Sequence, residues 1–111
     1  MNDIAIVGMG CRLPGGANSY SLLWDLLLNK FDAFSKIPEN RWDLRRFYSS
    51  NPKKPGKTYA HEAAFLDKPI DEFDPLFFGI SPREAECLDP QQRFLLEITW
   101  EAFEDAGLQI E

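Results

Sequence analysis

The chain has 111 residues, of which 44% are hydrophobic and 27% are charged, as expected for one globular domain. Eighteen acidic and twelve basic residues give a net charge of −6, which disfavours a nucleic-acid partner because the phosphate backbone is repelled. The longest apolar runs are too short to span a membrane, and no secretory signal is visible. Two cysteines in such a chain are typical of reduced thiols, so we expect a cytoplasmic protein that does not bind a membrane.

The first predicted element is a strand. Ile4-Ala5-Ile6-Val7 is apolar at every position, a pattern typical of a strand buried within a parallel or mixed sheet. The next residues, Gly8-Met9-Gly10-Cys11-Arg12-Leu13, partly match a dinucleotide-binding motif. However, Leu13 replaces the third glycine, and Pro14-Gly15-Gly16 blocks the helix that must open there. We therefore interpret the glycines as a strand exit and keep a Rossmann-type nucleotide site as a weak alternative.

The middle of the chain has one clear helix and much irregular structure. Residues 19–30 predict a helix, with Ser19 as N-cap, that is apolar around most of its circumference and therefore buried on more than one side. Residues 32–58 are punctuated by proline and predict a long surface excursion, anchored by Trp42, Leu44, Phe47 and Tyr48. Residues 63–66 favour a short strand, and residues 71–78 have a broken helical pattern.

The strongest local patterns lie near the carboxyl terminus. Ser81-Pro82-Arg83-Glu84 and Asp89-Pro90-Gln91-Gln92 each combine a cap, a proline at the first helical position and a capping-box partner. The second pattern predicts a helix that runs to Ala106 and ends at Gly107. Its apolar side chains form two adjacent stripes, one of Leu95, Ile98, Ala102 and Ala106 and the other of Leu96, Trp100 and Phe103. The remaining face carries Glu97, Glu101 and Glu104, which are expected to be solvated, and Arg93 is placed to pair with Glu97.

These elements indicate an α/β domain that needs more chain than is present here. A buried strand requires neighbours on both edges, and wide apolar arcs on helices require a second layer. The 111 residues offer too few of either. We therefore expect an incomplete sheet.

Few residues are candidates for chemistry. Cys11 and Cys87 are the available thiols, but acidic neighbours disfavour a thiolate at Cys87, and both suit a structural role. His61-Glu62 begins like a zinc-binding helix, yet Phe65 occupies the position of the second histidine. Lys53, Lys54 and Lys57 are interpreted as a solvated loop, with contact to an acidic partner as the alternative. From chemistry alone the sequence nominates no catalytic, cofactor-binding or metal site.

The order of motifs resembles the start of the ketosynthase (β-ketoacyl synthase) domain of type I polyketide synthases. The matching runs follow one another along nearly the whole chain: residues 4–16, Pro38 with 41–44, 55–59, 65–67, 73–74, 77–85, 88–93, 95–97, 100–102 and 104–107. Two departures are visible. Ala63 and Ala64 replace the usual two glycines, which predicts a local difference in packing, and Leu88 replaces a common methionine, a mild change in volume.

The resemblance implies a thiolase-like layered fold and a homodimeric acyltransferase. Its reaction is a decarboxylative Claisen condensation between an acyl thioester and a malonyl-type thioester, carried on the phosphopantetheine arm of an acyl carrier protein. The family's cysteine and two histidines lie in Asp-Thr-Ala-Cys-like and His-Gly-Thr-like contexts, which residues 1–111 lack. We therefore expect residues 1–111 to be the N-terminal portion of such a domain, inactive alone and completed by the rest of it. The alternative is a truncated segment that acts as a docking or dimerisation module.

Overall fold

The computed structural model describes residues 3–109, so the first two and last two residues of the expected domain lie outside it. Six elements follow in order: α1 (Tyr20–Leu28), β1 (Phe34–Lys36), α2 (Leu44–Phe47), β2 (Glu62–Ala64), α3 (Pro82–Ala85) and α4 (Pro90–Asp105). Within these residues, no helix is long and apolar enough to cross a bilayer.

The chain is open and has little core. Its radius of gyration is 18.3 Å, whereas a compact domain of this length has a value of about 13 Å. The buried hydrophobic residues of the described part are Ala17, Ile37 and Ala85. Most large apolar side chains therefore remain at the surface.

The prediction of a strand at residues 4–7 is wrong for the part of the chain that the structure describes. Residues 4–7 have no assigned secondary structure, and the side chains of Ile4 and Ile6 are 95% and 83% exposed. A strand requires a neighbour to accept and donate its backbone hydrogen bonds. No other segment of the described chain lies beside these residues as a strand.

Helix α1 confirms the predicted helix but not its burial. The Ser19 hydroxyl accepts a hydrogen bond from the backbone N–H of Leu22 at 3.3 Å, and Asn29 caps the other end. None of the helical residues is buried, and Trp24 is 61% exposed. The described residues provide no layer above α1, so its wide apolar arc stays open, as expected for a portion of a larger domain.

The structure adds two short elements that the sequence pattern did not indicate. Strand β1 pairs with β2 in antiparallel fashion, with Phe34 opposite Ala64 and Lys36 opposite Glu62. Helix α2 begins after Asp43, whose carboxylate accepts from the backbone N–H of Arg45. The sheet has two strands, and β2 starts one residue before the predicted 63–66 strand and ends earlier.

The carboxyl-terminal half confirms the predicted helix starts. Ser81 caps α3 through the backbone N–H of Glu84, and Asp89 forms a capping box with Gln92 at the start of α4. Between β2 and α3, residues 71–78 contain no helix, and turns cover residues 75–79.

Helix α4 ends in a complete Schellman motif. The backbone N–H groups of Gly107 and Leu108 donate to the carbonyl oxygens of Glu104 and Phe103 at 2.9 and 3.0 Å. Gly107 has a φ of 67°, the left-handed conformation that the motif requires. The predicted end of the helix is confirmed.

Candidate functional surface

Gly8 and Gly10 pack closely against helix α4, which lies about ninety residues further along the chain. A β-carbon on Gly10 would lie 2.6 Å from the carbonyl oxygen of Ile98, and one on Gly8 would collide with the carbonyl oxygen of Ala102. Ala106 also faces Gly8 with a small side chain. Three members of the predicted stripe, Ile98, Ala102 and Ala106, therefore contact the residues that follow the apolar run, whereas the fourth member, Leu95, is 63% exposed. The absence of side chains at Gly8 and Gly10 permits this approach.

Polar contacts flank the glycines and hold the segment in place. The backbone N–H of Met9 donates to a carboxylate oxygen of Asp105 at 3.0 Å. The guanidinium of Arg12 forms a bidentate ion pair with Glu101, in which the Nη1–Oε2 distance is 2.6 Å. Hydrogen bonding to Glu101 raises the pKa of Arg12 above its ordinary value, and partial burial of Arg12 opposes this shift.

Two glutamates predicted to be solvated therefore have defined partners. Glu101 binds Arg12, and Glu104 accepts a hydrogen bond from the indole Nε1 of Trp100 at 2.8 Å. The anticipated pairing of Arg93 with Glu97 is not among the ion pairs found between residues 3 and 109. Helical spacing predicted the common face but could not show which distant residue reaches it.

A tight turn follows Arg12 and excludes the dinucleotide interpretation of the glycine motif. Leu13 and Ala17 form an antiparallel bridge, and Gly15 and Gly16 have φ values of 82° and 80°. The next helix begins only at Tyr20. A pyrophosphate site requires glycines that open onto a helix N-terminus. Here Gly8 and Gly10 face the backbone of α4 instead.

The candidate nucleophiles and metal ligands, Cys11, Cys87 and His61, lie in separate places in the structure. The half-buried Cys11 contacts the carbonyl oxygen of Ala17 through Sγ at 3.5 Å, and Cys87 is exposed in the turn after α3. His61 precedes β2, with its ring edge-on to Tyr48 and its Nε2 3.9 Å from a carboxylate oxygen of Glu62. No group of three or more potential metal ligands occurs between residues 3 and 109. The geometry forms no catalytic constellation from these residues.

Many large apolar side chains remain exposed on the described chain. An aromatic cluster lies between the turns of residues 71–79 and α4, where the rings of Phe77 and Trp100 meet edge-to-face at 4.7 Å. Leu95 on the same side of α4 is 63% exposed, and Leu76 is 71% exposed. Together with residues 4–7 and α1, these positions form wide apolar faces without a covering layer. Such faces indicate surfaces that pack against other protein.

The packing of Gly8 and Gly10 on α4, the helix caps and the open apolar faces are typical of one segment of a larger layered α/β domain. Comparison with known families identifies which one: residues 1–111 match the model of the β-ketoacyl synthase N-terminal domain, and the chain belongs to this family. The resemblance of the motifs is thereby confirmed.

Related proteins and structures agree on this family. The chain is 56% identical to polyketide synthase GfsB of Streptomyces halstedii and 57% identical to the pikromycin polyketide synthase component PikAII of Streptomyces venezuelae, over 95% of its length in each case. An oxazolomycin ketosynthase domain from Streptomyces albus superimposes with a TM-score of 0.86 at 40% identity over 96% of the chain. The ketosynthase from module 6 of the Bacillus subtilis bacillaene synthase gives a TM-score of 0.78 at 42% identity over 95% of the chain. The fold is thus that of ketosynthase domains, the thiolase-like class.

The matched region is a small part of each relative. The chain spans 2% and 3% of the two polyketide synthases, and 18% and 17% of the two ketosynthase structures. The absence of catalytic residues from this chain stays a prediction from its sequence.

Proposed function

We propose that this chain forms the N-terminal part of a ketosynthase that extends acyl chains in polyketide biosynthesis. The reaction is a decarboxylative Claisen condensation between an acyl thioester and a malonyl-type thioester. The observation that carries the proposal is the continuous match to ketosynthase sequences and structures along the chain. The proposal extends to a cytoplasmic transferase that works on substrates carried by the phosphopantetheine arm of an acyl carrier protein.

The condensation needs groups that this chain does not supply in the family's contexts. A cysteine thiolate must accept the acyl group, and histidines must stabilise the enolate and oxyanion charge that develops. Cys11, Cys87 and His61 match none of those contexts, and the structure keeps them apart. We assign the chemistry to other parts of the domain and a structural role to residues 1–111.

The exposed surfaces support this division of labour. Residues 4–7 are apolar and exposed, and helices α1 and α4 each present large apolar side chains to solvent. Further strands beside residues 4–7 and a layer over α1 would bury these faces, as in a doubly layered α/β domain. The partners we propose are therefore the rest of the ketosynthase domain and, through it, a second subunit of a homodimer.

The test is a condensation assay on the complete domain that contains this chain. The purified domain is incubated with an acyl thioester and a malonyl-carrier thioester, and the β-ketoacyl product is detected by mass spectrometry. Product formation with loss of CO2 is expected. Failure to form product in a folded domain whose gene encodes the cysteine and histidine motifs would overturn the proposal.

A docking or dimerisation module is the second candidate, favoured by the same apolar faces. The two functions differ in what the gene encodes after codon 111. An open frame that continues into the cysteine motif supports the enzyme. Cooperative folding of residues 1–111 as a dimer, measured by sedimentation and thermal melting, supports the module.

A further inference from the structure

Arg93 is the one basic residue of helix α4, and the described part of the chain gives its side chain no partner. The residue is half-buried, and its Nε atom is buried without a hydrogen-bond acceptor among residues 3–109. No ion pair to Arg93 occurs within the same residues. Because a guanidinium cannot lose its proton in a protein, this charge remains wherever the side chain is placed.

The carboxylates of the same helix are engaged elsewhere. There are four of them: Glu97, Glu101, Glu104 and Asp105. Hydrogen bonding to Glu101 and, more weakly, the charge of Glu97 raise the pKa of Arg12. The other two carboxylates accept hydrogen bonds from the indole of Trp100 and from the backbone of Met9. Helix α4 therefore holds four acidic groups with neighbours and one cation without a counterion in the described chain.

An unpaired N–H on a buried part of a charged group is unfavourable. The donor has lost its hydrogen bonds to water and gains none from the protein, and buried charges in folded proteins are accordingly paired. Arg12 differs from Arg93 in this respect. Its Nε is also unpaired, but its two terminal amines bind Glu101, so its charge has a counterion. Arg93 needs an acceptor from outside the described residues.

The position of Arg93 indicates where that acceptor comes from. Trp100 is seven positions further along α4 and therefore lies on the same side of the helix. Together with Phe77, Phe78 and Leu96, Trp100 lines a cavity of about 670 Å³. A layer of protein that covers this apolar cavity also encloses the guanidinium at its edge. The lower dielectric constant of such a covered site strengthens a charge pair formed there.

We propose that Arg93 is one half of an ion pair whose carboxylate is supplied by the remainder of the ketosynthase domain. The inference rests on the proposed function, because it requires that remainder. The chain spans 18% and 17% of the two ketosynthase structures, so most of such a domain lies outside it. A carboxylate is a better partner than a backbone carbonyl, since it neutralises the charge and matches the planar fork of the guanidinium.

This pair gives helix α4 a second polar contact in a new direction. Arg93 and Glu101 are eight positions apart, so their side chains leave the helix at about 80° to each other. Glu101 binds the amino-terminal segment through Arg12. Arg93 binds a different neighbour. Two directional contacts on adjacent sides determine the rotation of α4 about its axis as well as its position.

The experiment uses the complete ketosynthase with Arg93→Lys and a carbodiimide, which joins an amine to a carboxylate that it touches. Cross-linked peptides are mapped by mass spectrometry after proteolysis. We expect a cross-link between position 93 and one aspartate or glutamate in the remainder of the domain. The wild type and Arg93→Gln serve as controls, because neither has a reactive amine at this position, and both should lack the cross-link.

An exchange of charges tests the same pair without the reagent. Arg93→Glu should lower the midpoint of urea denaturation, because it places two carboxylates together. Replacing the mapped acidic residue by arginine in that variant should restore most of the loss. Arg45→Glu is the control for the change in charge: Arg45 is 88% exposed, so its reversal should shift the midpoint little, and the second replacement should not improve it.

The outcomes separate pairing from other roles of Arg93. No cross-link at position 93, a cross-link only to residues 1–111, or a reversal that fails to restore Arg93→Glu would overturn the proposal. Near-UV circular dichroism verifies folding. If the variants do not fold, an experimental structure of the complete wild-type domain decides: a carboxylate oxygen about 3 Å from the guanidinium is expected, and carbonyl oxygens or solvent alone would overturn the pair.

Condensation by the wild-type domain is assayed in parallel. An active enzyme in which Arg93 has no carboxylate partner contradicts only the ion pair. A folded domain that has the pair but forms no product contradicts only the proposed condensation.

Discussion

Arg12 binds the carboxylate of Glu101 through two parallel hydrogen bonds, joining residues 89 positions apart in the sequence. Only 9% of the Arg12 side chain and 38% of the Glu101 side chain are exposed. The same guanidinium also donates to the carbonyl oxygens of Cys11 and Asn18 at 3.0 and 3.3 Å. One side chain thus connects the amino-terminal segment, the turn before α1 and helix α4.

Replacing Arg12 by methionine should lower the free energy of unfolding of the complete domain by about 2 kcal/mol, because a largely buried charge-assisted pair is lost. Arg12→Lys should recover only part of this, since an ammonium cannot bind both carboxylate oxygens in the same planar geometry. Urea denaturation measures the effect. Arg45→Met is the matched control, because the Arg45 side chain is 88% exposed in its pair with Asp43, and it should cost less than about 0.5 kcal/mol. Equal losses in the two methionine variants would contradict the importance of burial.

A methyl group at Gly8 should be poorly tolerated. In Gly8→Ala the new β-carbon meets the backbone carbonyl of Ala102, which no side-chain rotation can relieve. We expect a loss of roughly 3 kcal/mol by chemical denaturation of the complete domain. Gly79→Ala is the control: its φ is 67° but its β-carbon would meet open space, so only backbone strain of about 1 kcal/mol is expected. A Gly8→Ala variant no less stable than the control would disprove the close contact.

Asp89 should contribute as a helix cap. Its carboxylate accepts from the backbone N–H of Gln91 at 2.8 Å, and the Gln92 side chain accepts from the backbone N–H of Asp89 at 3.2 Å. Asp89→Ala should destabilise the complete domain by about 1 kcal/mol, and Asp89→Asn by much less, because asparagine also caps. Denaturant melts of the two variants distinguish capping from a general effect of substitution. Indistinguishable melts of the wild type and Asp89→Ala would count against the cap.

The thiols of this chain should not accept an acyl group. Neither Cys11 nor Cys87 lies at a helix N-terminus or next to a histidine, the environments that favour a nucleophilic thiolate. After incubation of residues 1–111 with acyl-carrier thioesters, intact-mass spectrometry should show unmodified protein. Iodoacetamide labelling of the exposed Cys87 serves as a positive control for thiol detection. A stable acyl adduct on either cysteine would refute the prediction.

Residues 1–111 alone should not unfold cooperatively. The described chain buries few apolar side chains, whereas ordering a chain costs roughly 1.5 kcal/mol per residue. We expect aggregation or a broad thermal transition with weak near-UV circular dichroism, using Trp24, Trp42 and Trp100 as probes. The complete domain, melted under the same conditions, should show a sharp transition. A sharp transition from the isolated segment would instead favour the docking or dimerisation module.

The features that were predictable from sequence are local. Ser19, Ser81 and Asp89 were identified as caps because capping involves residues three or fewer positions away, and Gly107 was identified because the helix end requires a left-handed residue. The order of motifs predicted the ketosynthase family, which the family match confirmed.

The features that sequence reasoning missed are either short or distant. Strand β1 and helix α2 have three and four residues, too few to show a period of 2 or 3.6. The sequence pattern predicts a solvated Glu101, because no residue near it in sequence indicates the contact with Arg12. The close packing could have been predicted from small residues in two segments, Gly8 with Gly10 and Ala102 with Ala106. Neither pair indicates it alone, because each must be matched with the other.

The two glycines also determine the alignment of the segment along α4. They are two positions apart, so an extended chain places both on one side, facing successive turns of the helix. A slip of one residue would place Met9 or Cys11 against the helix backbone, where no side chain fits. Sliding is therefore blocked sterically before any polar contact is considered. Whatever packs beside residues 4–7 thus meets a segment whose position along α4 is already determined.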